Sequence, residues 1–321
     1  MKKRESTMNK LKNWTISILL SIAMLIGLQG YTSTSSIKFV QLSDIHYYTG
    51  NNNTTYKMIA ESPKLLDDAI DQINAIPNLD FVMFTGDLID KAFEKELNAF
   101  LPHTEKLNVP WYFAFGNHDT MIGGYLTPRT YMDIVNKYNK NYKFEKSYYS
   151  FVPQKGYKAI VLDSIIRERL TSNGRLGDEQ LAWLDNELKN SQKETVLIFM
   201  HIPVLEPYNS PNHRLEDADK MENILNKYKN PIAVFQGHYH GAKITQKDNI
   251  LYVSCPALVS YPNAFRLITV TNYKNKVVFN IENQETRLKN IQKLAKMLVF
   301  GTTIYTGEEK DQNATIIINK K

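Results

Sequence analysis

Ile37-Lys38-Phe39-Val40-Gln41-Leu42-Ser43-Asp44-Ile45-His46 is a short apolar run that closes on a carboxylate and an imidazole two residues apart. Residues 37–42 read as a strand. Asp and His just beyond it are oxygen and nitrogen donors of the kind that suit Zn, Fe and Mn. One such pair means little, because a histidine at a strand end is more often structural or at the surface. The chain repeats the arrangement, however. Residues 81–85 lead to Gly86-Asp87-Leu88-Ile89-Asp90, and 111–115 to Gly116-Asn117-His118-Asp119. Residues 195–200 lead to His201-Ile202-Pro203, and 232–235 to Gly237-His238-Tyr239-His240. Five of the seven histidines fall in these motifs. Together they supply enough donors for two metal ions, and the absence of thiolates argues against a cysteine-type structural zinc.

Between these strands the apolar spacing turns helical. Ser62-Pro63 reads as an N-cap with proline at the first helical position, followed by Leu65, Leu66, Ala69, Ile70 and Ile73 at helical intervals. Further helices are expected over 92–106, around 131–138, and over 178–188 and 215–228. Residues 148–152 and 158–162 read as adjacent strands. Strands then dominate, at 242–245, 250–254, 265–271 and 277–281, before a helix at 285–298 and a last strand at 314–318. Alternation followed by a run of strands fits a layered α/β domain with a mixed sheet. In such sheets ligands gather at the carboxyl ends of strands. All the donor groups above lie there.

The chain has 321 residues, 43% hydrophobic and 22% charged, which is ordinary globular composition. Its net charge of +6 needs dividing. Five basic residues (Lys2, Lys3, Arg4, Lys10, Lys12) face Glu5 alone within residues 1–30, so four of the six net charges lie there. The remaining body is nearly neutral, which makes a nucleic-acid partner an unfavoured reading. Basic residues, the apolar run 14–28 and a polar Gly-Tyr-Thr-Ser stretch follow in the order of a secretory signal. The run also approaches the length of a membrane anchor. Residues 1–36 are therefore read as a signal peptide or N-terminal membrane anchor with a short polar linker. Residues 37–321 form the second unit, a domain with a C-terminal helix and strand. An extracytoplasmic location follows, secreted or held on the outer face of the cytoplasmic membrane through residues 14–28. Cys255 is the only cysteine, so no intrachain disulfide exists. It reads as a buried strand residue.

The five motifs in this order, D-x-H, G-D-x-x-D, G-N-H-D, H and G-H-x-H, resemble those of the calcineurin-like metallophosphoesterases. The resemblance covers roughly residues 37–282. It implies a four-layer α-β-β-α sandwich with two mixed central sheets. Asp44, His46 and His240 would hold one divalent ion, and Asn117, His201 and His238 a second, with Asp87 bridging. The ions would be Mn, Fe or Zn. His118 would contact the phosphate and assist the leaving oxygen, and Asp119 would orient His118. Purple acid phosphatases in the same superfamily carry Tyr three residues after the bridging Asp. Asp90 stands there instead, closer to the bacterial class III cyclic-nucleotide phosphodiesterases.

The implied activity is hydrolysis of a phosphate ester, small or lipid-linked, by in-line attack of metal-bound hydroxide. A phosphodiester is slightly favoured, because the motif loops offer few cations to balance a dianionic monoester. The alternatives are a broad phosphomonoesterase and a non-catalytic binding protein on the same fold. Other residues keep plainer readings. Asp90 reads as a helix N-terminal residue, His103 as a surface helix residue and His213 as a solvated loop residue, with lining of the substrate pocket as its alternative. Tyr47, Tyr48 and Tyr239 adjoin ligands and fit pocket walls or packing equally well.

Overall fold

The computed structural model describes residues 35–320. The expected signal or anchor with its linker covers residues 1–36; residues 1–34 of it lie outside the described residues, and Ser35 and Ser36 open the first strand instead of a linker. Two six-stranded sheets form the centre. In the first, β1 (Ser35–Leu42), β2 (Phe81–Thr85) and β3 (Trp111–Ala114) run parallel. The second contains β4 (Tyr149–Phe151), β5 (Tyr157–Val161), β6 (Thr195–Phe199), β7 (Ile232–Gln236), β8 (Lys243–Lys247) and β9 (Ile250–Ser254). Its order is β4-β5-β6-β7-β9-β8, parallel except for the antiparallel edge pairs β4-β5 and β8-β9. The chain then returns to the first sheet as β10 (Ala264–Asn272), antiparallel to β1, followed by β11 (Lys276–Glu285) antiparallel to β10 and β12 (Ala314–Asn319) antiparallel to β11. The first sheet therefore reads β12-β11-β10-β1-β2-β3. Both sheets are mixed.

The sheets meet face to face. Phe39 on β1 stacks on Phe81 at 4.9 Å between ring centroids and meets Phe199 and Phe235 of the second sheet edge-on at 5.5 and 5.2 Å. Alternation along β1 puts Gln41 on the same side as Phe39, and its amide donates to the Gln236 carbonyl across the interface at 3.1 Å. Burying these rings, with aromatic pairs worth about 0.5–1.5 kcal/mol beyond their area, fixes one sheet on the other. That pins the carboxyl ends of β1, β2, β3, β6 and β7 beside each other.

Helices cover the outer faces. α1 (Ser62–Asn74), α2 (Glu94–Thr104), the single turn α3 (Asn117–Thr120) and α4 (Pro128–Tyr138) follow strands of the first sheet. α5 (Gly177–Asn190) and α6 (Ala218–Leu225) follow strands of the second. α1 packs on α2, α2 on α4, and α5 on α6. The C-terminal segment adds α7 (Lys289–Leu298), α8 (Thr302–Thr306) and α9 (Glu309–Gln312). Fully buried Arg266 ties this segment down by donating to the carbonyls of Ser254, Asp311 and Gln312. No helix among the described residues is long and apolar enough to cross a membrane.

The elements differ from the sequence reading mainly at their ends. Ser62 is the first helical residue of α1, and its hydroxyl accepts the Tyr48 N–H rather than capping. α2 starts at Glu94, not Ala92, because Phe93 is extended and the Ala92 carbonyl is taken by the Tyr125 and Leu126 N–H groups. β11 runs on to Glu285, paired with Ala264, so the following helix starts only at Lys289.

Candidate metal centre

Each motif sits at a carboxyl end of a strand, and the backbone there is strained. Asp44, His46, Asp87, His238 and His240 all have φ between +43° and +71°. An L-residue held in this region costs on the order of 1–3 kcal/mol. Five of the nine such residues described outside glycine belong to these motifs, so the strain is concentrated here. Bonds between the loops hold it. The Asp44 and His46 N–H groups donate to the carbonyls of Gly86 and Asp87, and the His238 N–H donates to Asp44 Oδ2.

Two of the motif glycines act differently from one another. Gly86 bends sharply at φ +91°, and a side chain there would collide with the His201 ring. Gly116 is extended and does not bend; a Cβ would lie 2.1 Å from the Asp87 nitrogen, so its role is close approach.

The donors converge in two groups. In the first, His46 Nε2 lies 3.3 Å from His240 Nε2, and His240 Nε2 lies 3.3 Å from Asp44 Oδ1. In the second, His201 Nε2 lies 3.2 Å from both His238 Nδ1 and Asn117 Oδ1. Asp87 Oδ2 stands between them, 3.4 Å from His46 Nε2 and 3.4 Å from His201 Nε2. A second-layer bond sets the tautomer of His201. His201 Nδ1–H donates to the Thr85 carbonyl, so in the neutral ring Nε2 offers a lone pair to the centre. His240 Nδ1 lies 2.7 Å from Ser260 Oγ, a hydroxyl that can donate or accept and so holds the ring in place without fixing its tautomer.

This donor set fits two cations. Lone pairs of neighbouring imidazoles repel at 3.2–3.3 Å unless a proton or metal lies between them. Asp44 Oδ1 is buried with no hydrogen-bond donor. Such a group is costly unless something positive meets it. The local charges agree. Burial works against charge on Asp87, yet His201, His118 and His46 hold its carboxyl well below the usual range. Burial, aided by Lys57, keeps His46 well below the usual imidazole range, and burial aided by His201 does the same for His238. For His201 burial is outweighed by Asp87, and its value rises to about 9. One proton thus sits where a metal would replace it.

His118 sits beside these groups, its ring 4.5 Å from that of His46. Its Nδ1–H donates to the Asp90 backbone carbonyl at 2.6 Å, and its own N–H donates to Asp87 Oδ1 at 2.8 Å. The expected orientation of His118 by Asp119 is corrected by these bonds. Asp119 Oδ1 accepts from the Leu88 and Ile89 N–H groups, and Oδ2 from Gly116 N–H. Its carboxylate braces the loop that carries Asp87. Burial and then the charge of Asp87 push this carboxyl up to about 7. Asp90 is also reassigned: it lies before α2, not in it, with Oδ1 3.2 Å from His46 Nδ1.

Other readings shift as well. His213 is half-buried with its ring 5.2 Å from His238, so it reaches the centre rather than standing in solvent. His103 joins Tyr47 Oη and Asp67 instead of lying free on the surface. Tyr47 packs on Phe100 and Tyr48 under Lys91, whereas Tyr239 lies among His213, His238 and Tyr208. Lys57 and Tyr56 are additions. Lys57 Nζ lies 3.3 Å from His46 Nε2, and the Tyr56 ring lies 5.7 Å from that of His240. They sit in an Asn/Thr-rich loop whose composition carries no signal of a site. Tyr305 of α8 stacks obliquely on Tyr56 at 5.9 Å, bringing the C-terminal segment to the same rim.

Comparison with known proteins places this arrangement. The family model for the calcineurin-like phosphoesterases matches residues 37–242. The chain is 27% identical over 230 residues to a probable glycerophosphodiester phosphodiesterase of Arcobacter nitrofigilis, covering 67% of this chain and 76% of that one. It is 25% identical over 232 residues to a 3',5'-cyclic-nucleotide phosphodiesterase of a Nostoc species, covering 69% and 78%. A dimetal phosphatase from Danio rerio has a similar fold, with a TM-score of 0.65 at 16% identity over 89% of this chain and 99% of that one. The chain therefore belongs to the calcineurin-like phosphoesterases, hydrolases of phosphoric ester bonds that work with two divalent metal ions.

Proposed function

We propose that Asp44, His46 and His240 hold one ion, that Asn117, His201 and His238 hold the other, and that Asp87 bridges them. The position of Asp87 Oδ2, 3.4 Å from an imidazole of each group, carries this reading. The two ions supply Lewis acidity toward the phosphoryl oxygens and an activated water. The chain's own part is to hold the phosphorus in line and manage the leaving group. His118 serves the second task. Its Nδ1–H is committed to the Asp90 carbonyl, so the proton for the departing oxygen comes from Nε2–H of the doubly protonated ring, which is partly exposed and returns to the neutral form as the proton leaves.

The substrate is a phosphodiester in this reading. Support comes from the two bacterial relatives above, whose names are those of diesterases, and from the aromatic pair Tyr56 and Tyr305, which suits a second esterified group. One observation favours the second reading, a broad phosphomonoesterase: Lys57 brings a cation that the motif loops lack. The test is a phosphoester panel, lipid-linked esters included, on metal-stripped protein reloaded separately with Mn, Fe or Zn. Bis-nitrophenyl phosphate is expected to exceed nitrophenyl phosphate in kcat/KM. A monoester advantage of more than about tenfold, roughly 1.4 kcal/mol of transition-state preference, overturns the diester assignment.

The site of action in this reading is outside the cytoplasm, with residues 14–28 as signal or anchor. The order of basic, apolar and small polar residues in 1–36 supports it. A fusion of those residues to a reporter active only after export should report activity; a silent fusion removes the proposal.

A further inference from the structure

Lys57 stands outside every motif of the family, yet its ammonium points at the centre. Nζ lies 3.3 Å from His46 Nε2, and its charge bears on His46, His118 and His213. The loop that carries it is held firmly. Thr54 and Lys57 exchange backbone hydrogen bonds at 3.3 and 2.9 Å across Thr55 at φ +47°. Met58 N–H donates to the Val259 carbonyl at 2.7 Å, and Ala60 N–H to Asn53 Oδ1 at 2.9 Å. The two residues before Met58 then flank the first donor group, Tyr56 against His240 and Lys57 against His46.

No carboxylate among the described residues lies within 4 Å of Nζ. The Lys57 ammonium can donate to the His46 lone pair only while that lone pair is free. A divalent ion on His46 takes it, and Lys57 is left facing like charge. An anion between them resolves the conflict, and the phosphoryl group is the anion this centre receives. We infer that Lys57 is a substrate-binding residue that contacts a non-bridging phosphoryl oxygen, and that it sets how well the site accepts a doubly charged phosphate. A dianion gains more from one added cation than a monoanion does. Lys57 therefore favours monoesters and the product orthophosphate over diesters, in opposition to the aromatic pair. This inference rests on the phosphoesterase reading of the centre.

The experiment compares wild type with Lys57→Gln and Lys57→Arg, all metal-loaded, with metal content measured by elemental analysis. Orthophosphate binding is read by calorimetry, and kcat/KM is read for nitrophenyl phosphate and bis-nitrophenyl phosphate. For Lys57→Gln, orthophosphate affinity should fall about tenfold and monoester kcat/KM about 10–100-fold. The diester should change less than about threefold, at unchanged metal content. Lys57→Arg should restore much of the orthophosphate affinity. Unchanged orthophosphate affinity, or equal losses for both esters, overturns the assignment, as does a fall in metal content that accounts for the losses. Wild type that hydrolyses neither ester refutes the phosphoesterase reading instead, and the calorimetry still judges Lys57.

Discussion

Replacing Asp119 by Ala distinguishes a loop brace from a catalytic relay. The Asp119 carboxylate accepts the Leu88, Ile89 and Gly116 N–H groups at 2.8, 3.2 and 2.8 Å, and the buried Tyr131 hydroxyl approaches at 3.4 Å. Asp119→Ala leaves three buried backbone donors unpaired, each costing about 1–3 kcal/mol. A water drawn into the vacated space recovers part of this, so the total is about 3–6 kcal/mol. At about 2 °C per kcal/mol for a body of this size, Tm should fall by about 6–12 °C. Asp119→Asn keeps an acceptor for Leu88 and Ile89 but turns its NH2 toward Gly116, and should cost about 1–3 kcal/mol. The assay is thermal unfolding at fixed free metal, with kcat measured well below the transition. The reasoning is refuted if Asp119→Ala unfolds within about 1 °C of wild type while losing kcat selectively for poor leaving groups. That pattern would mean Asp119 acts through His118 after all.

Three further outcomes are expected. Metal-replete protein should contain about two ions per chain, and Asp87→Ala should lose more metal than any other single ligand change, because Asp87 Oδ2 faces both groups; a content fixed at one or none by elemental analysis contradicts this. His118→Ala should retain both ions and lose about 10²–10⁴-fold in kcat for poor leaving groups, and much less for nitrophenyl esters; release of metal would make it a ligand. Asp311 anchors the C-terminal segment through Ile244 N–H, Glu308 N–H and Lys243, which outweigh burial and hold its carboxyl below the ordinary 3.8. Its folded value lies below its unfolded one, so its contribution is complete above about pH 4 and is lost as pH falls through the folded value. Hydrogen exchange between pH 5 and 2.5 should show Ile244 and Glu308 amides deprotected first, and Asp311→Asn should show this already at neutral pH; equal protection throughout would contradict it.

Much of the candidate site, as a set of donors that the fold brings together, was legible in the chain because its donors are local features. Asp44, His46, Asp87, Asn117, His201, His238 and His240 each close an apolar run, and an apolar run of that length ending in a donor is readable without any long-range information. The strands followed for the same reason, with residues 81–85 and 250–254 read to their full extent. What depends on distant partners was not legible. Asp119 lies next to His118 in sequence, and adjacency suggested that it served that ring. Only the packed structure shows the Leu88 and Ile89 N–H groups of another loop, with the Gly116 N–H of its own, claiming its oxygens, and the carbonyl of Asp90 claiming His118. Lys57, Tyr56, His213 and Tyr305 reach the centre from segments with no motif, because the sandwich brings the ends of five strands and the C-terminal return to one edge. Side-chain chemistry and period are written residue by residue. Which groups meet across 30, 100 or 200 residues is decided by how the two sheets pack, and that register is set by the core, with Phe39 between Phe81, Phe199 and Phe235, rather than by any motif.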